Sequence, residues 1–308
     1  MPEPRPYREP SDLEKMRQLL TLGRQSGASG YYVHTGDLDW WLYYVEPGSE
    51  LWPYIYLWES EAGEGVLDGW ALLSPAWSAF DVFVRPELRG SPQAEAMYAF
   101  ADGRLTEIVR GRGGNEIRTI WVGEGDDILI PYLDRCGFSL GESFIQQYAR
   151  LLDPPPALPP LPVGFRLGNV DGEEIARSRA AASQAAFGSD WESERYLRRY
   201  LNFRRSLVYR SELDVVALAP DGRVASFCLV WLDLTNRVGL FEPVGTAPDF
   251  QRMGLGRAAL AEGMRRMATC GMRSAIVCAL GEDAAANGIY RSAGMQPVRR
   301  LLTYNKPV

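Results

Sequence analysis

The segment VGTAPDFQRMGLGRAAL, Val244 to Leu260, ends a strand, turns, and opens a helix on glycines. Gly254 and Gly256 remove side chains where a ligand must approach the backbone, and they leave amides free at a helix N-terminus. Several N–H groups aimed at one point, with the helix dipole behind them, form a cradle for a pyrophosphate. Arg252 and Arg257 are placed to add charge-assisted hydrogen bonds to the phosphates. Glycines also open many helices for packing alone, so this pattern by itself leaves both readings open. It is not the dinucleotide fingerprint, which sets GxGxxG directly after a first strand.

Other chemistries find less support. His34 is the single histidine and lies in a loop-like GYYVHTG stretch without a nucleophile motif, which argues against a Ser-His-Asp triad and against a histidine-ligated metal. Cys136, Cys228, Cys270 and Cys278 are far apart and form no CxxC pair, so neither zinc nor disulfides are expected. Cys228 and Cys278 sit in apolar strand-like runs, where cysteine serves as a small hydrophobe.

The elements that must position the cradle can be traced outward from it. GFRLG reads as a short strand. Asp171 opens the helix GEEIARSRAAASQAAF, and a second helix, SERYLRRYLNF, follows a loop with Asp190 and Trp191. LDVVALA, RVASFCLVWLDL and VGLFEPVGT are strands, with Pro220-Asp221-Gly222 as the turn between the first two. After the helix LGRAALAEGMRRMATC come the strand MRSAIVCAL, the helix EDAAANGIYRSA and a last strand around PVRRLLTYN. This order makes a mixed α/β (α+β) domain.

Taken together, Val244–Leu260 and the later NGIYRSAGM, Asn287 to Met295, resemble the two acetyl-CoA motifs of the GNAT superfamily of N-acetyltransferases, in the right order and separated by a strand. The resemblance covers about residues 164–308. It implies acetyl-CoA as cosubstrate, with Val244, Gly245 and Thr246 pairing with the pantetheine arm as an added strand. The Val244 amide would stabilise the thioester oxygen as it gains charge. Gln251, Arg252, Met253, Gly254, Leu255, Gly256 and Arg257 would hold the pyrophosphate, and Asn287 would hydrogen-bond the arm. Tyr290 would protonate the departing thiolate, with core packing as its plainer role. Glu242 is the candidate general base: two residues before Val244, regular strand alternation would put both on one side. A glutamate paired with a nearby arginine is the competing reading.

The first half repeats the order of elements, with SAFDVFVRP set against GLFEPVGTAP and DILIPYLDRCGF against AANGIYRSAGM. Aligning Pro86 with Pro248 puts Pro92, which has no amide hydrogen, at the position of Gly254. Ser91-Pro92 then reads as an ordinary capped helix start. Aligning Gly137 with Gly294 puts Ile130 for Asn287 and Leu133 for Tyr290. The expected organisation is therefore two tandem GNAT-like domains, each a mixed, mostly antiparallel sheet flanked by helices. Residues 1–152 form a degenerate copy, 153–162 a proline-rich linker, and 163–308 the catalytic domain. Six of the eleven residues from Leu152 to Pro162 are proline, which predicts a semi-rigid polyproline II spacer holding two domains apart. The many aromatics of the first half, Trp40, Trp41, Tyr44, Trp58 and Trp70 among them, are expected to pack in cores and between domains. Phe187, Asp190, Trp191 and Tyr196 lie where GNAT proteins commonly shape the acceptor pocket, and Asp190 is equally placed to cap a helix.

Residues 1–162 carry 13 basic against 24 acidic residues, and residues 163–308 carry 20 against 15. A basic second half suits a polyanionic cosubstrate, while charge spread along the sequence argues against nucleic acid as a partner. No apolar run is long enough to span a membrane and the N-terminus has no signal-peptide core, so a cytoplasmic protein is expected. The expected activity is direct acetyl transfer to the primary amine of a small molecule in a ternary complex, without a metal. An acyl-CoA-binding module without turnover and an enzyme acting on a protein N-terminus are the alternatives. A monomer that mimics a dimer, and a homodimer, both fit the duplication.

Overall fold

The central strands are near-continuous apolar runs buried on both faces, and this builds one sheet with helices on both sides. The computed structural model describes residues 3–27, 30–61, 63 and 65–308. The first half runs β1 (Arg5–Pro6), α1 (Pro10–Gln25), α2 (Thr35–Tyr43), β2 (Ile55–Glu59), β3 (Leu67–Ser74), β4 (Ala79–Val84), α3 (Pro92–Gly111), β5 (Glu116–Gly123), α4 (Leu129–Arg135) and β6 (Ser139–Leu151). The second runs β7 (Arg166–Asn169), α5 (Gly172–Ala186), α6 (Ser193–Phe203), β8 (Asp214–Leu218), β9 (Val224–Asp233), β10 (Val238–Thr246), α7 (Leu255–Thr269), β11 (Ser274–Leu280), α8 (Ala284–Ser292) and β12 (Gln296–Pro307). Along β3, Trp70 and Leu72 pack under α1 and α2, while Ala71 and Leu73 pack under α3. Along β9, Phe227, Leu229 and Trp231 face α5 and α6, and Cys228 and Val230 face α7. Period-two burial on both faces is what a central strand needs.

The twelve strands form a single sheet in the order β1-β2-β3-β4-β5-β12-β6-β11-β10-β9-β8-β7. Only β4 with β5 and β10 with β11 are parallel neighbours. Each half therefore has the expected mixed, mostly antiparallel sheet flanked by helices. The two halves exchange their last strands. β12 pairs with β5 of the first half, and β6 pairs with β11 of the second. The two exchanged strands pair with each other at the centre of the sheet.

The proline-rich segment accordingly does something other than hold two domains apart. It leaves β6 near the middle of the sheet and delivers the chain to β7 at the far edge, with β11, β10, β9 and β8 lying between. Five strand spacings come to roughly 24 Å, and ten residues of polyproline II span about 31 Å. Leu152 pins the start of this crossing by donating its amide to the Arg273 carbonyl.

The aromatics of the first half are mostly core and junction residues. Trp58 and Trp70 are fully buried, and Tyr44 donates its hydroxyl to Tyr196 of α6. No helix among the described residues is long and apolar enough to cross a membrane.

Candidate active site

β10 and β11 run together only over Val238–Phe241 and Ser274–Val277, after which they part. β10 continues alone along β9. There the amide of Ala247 donates to the Ala225 carbonyl. Because amides alternate along a strand, those of Val244 and Thr246 point the other way, into the gap left by β11. Gly245 is required by close approach: a Cβ there would lie 2.4 Å from Phe227 Cζ. Phe227 is held from beneath by the buried Arg179 guanidinium, 3.5 Å over its ring, which is itself paired with Asp214.

At the end of β10 the chain turns through Pro248–Phe250 and enters α7 at Gly254. Gly254 is the N-cap, with φ of 79°, a conformation that only glycine adopts without strain. Gly256 serves packing, since a Cβ there would lie 2.4 Å from Ile289 Cδ1. The two glycines thus have different jobs. From Arg252 to Arg257 no backbone amide has a hydrogen-bond acceptor among the described residues. Gln251, Arg252, Met253 and Arg257 are exposed, and neither arginine makes an ion pair there. Leu255 is buried and anchors the helix start. Six open amides beside two exposed arginines are donors of the kind that anions bind.

The first half lacks this arrangement. Ser91 caps α3 by accepting from the Ala94 amide, and Pro92 occupies the next position. Arg89 is committed to Asp126, at 2.7 Å.

Glu242 does not follow the alternation expected of it. Phe241 pairs with Val230 but Val244 pairs with Cys228, so β10 carries one extra residue there. Val244 thereby shares the α7 face with Phe241, and Glu242 belongs to a bulge whose Glu242–Pro243 peptide is cis. The common-side argument therefore fails for the side chains, although the Val244 amide still faces the gap. The bulge is fixed by Trp231, whose indole N–H donates to the Glu242 carbonyl at 2.7 Å. The Glu242 carboxyl makes no ion pair or hydrogen bond among the described residues, so the arginine-paired alternative is not what the structure has. Burial first, and the charge of Asp37 second, push its pKa up to about 8.

Asp37 is the residue that sequence reasoning missed. It sits in the first turn of α2 as one partner of a capping box, accepting from the His34 amide at 2.8 Å. His34 Nδ1 accepts from the Gly36 amide, so the ring proton is on Nε2 and is donated to the Val238 carbonyl of β10. Gly36 presses on Trp231, where a Cβ would lie 2.3 Å from the Trp231 Cβ. Burial raises the Asp37 carboxyl to about 7. The HxxD spacing was a visible capping signal, but its contact with a strand of the other half was not.

Tyr290, in α8, is buried beside Tyr148, and its hydroxyl makes no hydrogen bond among the described residues. Burial and then the Glu242 charge raise its pKa. Asn287 is already engaged: its amide nitrogen donates to the carbonyls of Leu280, Gly281 and Asp283, and its oxygen accepts from the Tyr148 hydroxyl. It shapes the end of β11 rather than offering a free amide. Asp190 is exposed and caps nothing, since Glu192 holds the N-cap of α6. On the α2 side a groove of about 440 Å³ runs between the halves, lined by Glu14, Arg17, Thr35, Gly36, Trp231 and Asp233. Among the described residues no group of histidine, cysteine and carboxylate side chains is arranged to hold a metal ion.

Residues 179–295 match the acetyltransferase (GNAT) family model. The mycothiol acetyltransferase of Saccharomonospora viridis is 24% identical, with 95% of this chain and 94% of that protein covered. Among solved structures, a tandem GNAT protein from the clavulanic acid biosynthesis pathway superimposes with a TM-score of 0.69 at 13% identity, covering 99% of this chain and 97% of that one. A GCN5-related N-acetyltransferase from Sphaerobacter thermophilus gives 0.65 at 19% identity, covering 98% and 94%.

Proposed function

Because the chain belongs to the GNAT family of acetyltransferases, and is therefore an acyltransferase, we propose that it transfers an acetyl group from acetyl-CoA to the primary amine of a small molecule. The observation that carries this reading is the Glu242 carboxyl, unpaired and raised to about 8 at the edge of the gap between β10 and β11. An amine arrives as an ammonium ion and must lose a proton before its nitrogen can attack. A carboxylate with a pKa near 8 is a far better proton acceptor than an ordinary one.

In this reading the pyrophosphate lies on the amides of residues 252–257, with Arg252 and Arg257 over it, and the pantetheine arm runs along the open edge of Val244–Thr246. Glu242 takes the ammonium proton, and the nitrogen lone pair forms the new bond to the thioester carbon. The Val244 amide donates to the oxygen as it becomes an oxyanion. When the carbon–sulfur bond breaks, Tyr290 gives its proton to the thiolate. Burial drives the nearby Cys278 thiol up, away from a thiolate, which supports direct transfer over an acyl-enzyme.

Calorimetric titration with acetyl-CoA, beside a Gly254→Pro variant, tests the donor. One site per chain, lost in the variant, is expected. A panel of amines then tests the acceptor by release of free CoA thiol. No binding to the native chain removes acetyl-CoA from the reading, and two sites would mean that the first half is not degenerate.

A further inference from the structure

The exchanged strand β6 carries a residue of the first half into the second half's site. Tyr148 pairs across the ladder with Val277 of β11 and is fully buried beneath α7 and α8. Its hydroxyl donates to Asn287 Oδ1 at 2.8 Å and receives Arg291 Nε at 3.3 Å. Its ring centroid lies 5.8 Å from that of Tyr290. With its oxygen so held, the Asn287 amide nitrogen can only face the carbonyls of Leu280, Gly281 and Asp283, at 3.0, 3.1 and 2.6 Å. Those carbonyls belong to the end of β11 and the turn after it, where β11 has left β10.

We infer that Tyr148 is a positioning residue for the acyl-CoA thioester, acting through Asn287. The inference rests on the donor reading above. An amide is polar at both ends, and a donor at its oxygen, with acceptors at its nitrogen, fixes which end is which. The Tyr148 hydroxyl supplies that donor. It sets Asn287 to tie down residues 280–283, which wall the gap opposite Val244, and it seats α8 so that Tyr290 meets the gap. Removing the hydroxyl leaves a half-buried amide oxygen without its partner, and the cheapest response is for the 280–283 turn to loosen. The consequence is weaker acetyl-CoA binding with no effect on the acceptor.

The test is Tyr148→Phe in the full chain, read by acetyl-CoA affinity and by separate KM values for donor and acceptor. The expected result is a loss of acetyl-CoA affinity of about fivefold to tenfold, an unchanged acceptor KM, and almost no further loss when Tyr148→Phe is added to Asn287→Ala. Native affinity in Tyr148→Phe overturns the inference, and so do fully additive losses in the double variant. A general loosening of the fold would raise both KM values or neither, which also overturns it. Should Tyr148→Phe not fold, Asn287→Asp serves instead: it keeps an acceptor for Tyr148 but loses the donors to the three carbonyls. It must then weaken acetyl-CoA equally, and native affinity overturns the inference. Failure of the native chain to bind acetyl-CoA would sink the donor reading as well, which separates the two ideas.

Discussion

His34 Nε2 lies 3.1 Å from the carbonyl oxygen of Val238, and that contact joins the helix carrying Asp37 to the strand carrying Glu242. The two carboxyls come from opposite halves of the chain, yet each is placed by the same junction. The Glu242 carboxyl of the second half is therefore tuned by the first, through burial and through the charge of Asp37.

Glu242→Gln keeps the size of the side chain and removes its basicity. Acetyl-CoA affinity should stay unchanged, while kcat falls by about 10²-fold or more. Unchanged turnover would remove Glu242 from the role of base.

The pH profile of kcat/KM for the amine should rise through about 8, because only the ionised Glu242 accepts a proton. Asp37→Asn removes the second cause of that shift and leaves the first. The midpoint should move down, yet remain above the ordinary carboxylate range. A profile that does not move would show that Asp37 has no electrostatic hold on Glu242.

Tyr290→Phe should lower kcat by about 10-fold to 10²-fold with acetyl-CoA binding intact. Its hydroxyl bonds to nothing among the described residues, so thermal stability should change little. A large drop in Tm with unchanged kcat would assign Tyr290 to packing alone.

Asp81, in β4, is buried, and its Oδ1 has no hydrogen-bond partner. Burial raises its pKa from 3.8 to about 7. The folded state thus holds its proton more tightly than the unfolded chain does. Its contribution to stability is full below the ordinary value and disappears as pH rises through about 7. Asp81→Asn cannot ionise, so its Tm relative to the native chain should climb between about pH 4 and pH 7 and level off above. A constant difference across that range would show that the carboxyl does not titrate there.

Much of the second half was legible locally. VGLFEPVGT is β10 to the residue, and the glycines marked the start of α7 because a left-handed N-cap and a crowded first turn each exclude side chains. Proline beside Glu242 was the available sign that β10 could not stay regular, since proline within a strand goes with bulges. The exchange of β6 and β12 left no such sign. β12 read correctly as a strand around PVRRLLTYN, and β6 was not singled out; which neighbour a strand chooses depends on partners more than a hundred residues away. Asp37 was hidden for the same reason: three residues after His34 it is a capping residue, and only the packing of α2 on β10 makes it part of a site. The prolines were read as a spacer between two domains, but the distance they cover is set by the sheet.

Expressed alone, residues 163–308 would lack the strand that belongs between β11 and β12. Both would present unpaired edges, and Tyr148 would be absent from beside Asn287. The fragment should not unfold cooperatively or bind acetyl-CoA, by circular dichroism and calorimetry. A well-folded fragment with native affinity would show that the exchange is dispensable.

The exchange also fixes an order of events at the ribosome. β5 is complete by Gly123, but its neighbour on one side is β12, which is synthesised only after β6 to β11. A nascent first half therefore cannot settle as a finished domain, although domains made earlier usually do so. Its open edge must wait, paired with nothing or held by a chaperone, until Gln296–Pro307 emerges. Translation arrested short of that point would release a chain with an exposed strand edge, the kind of surface that seeds aggregation.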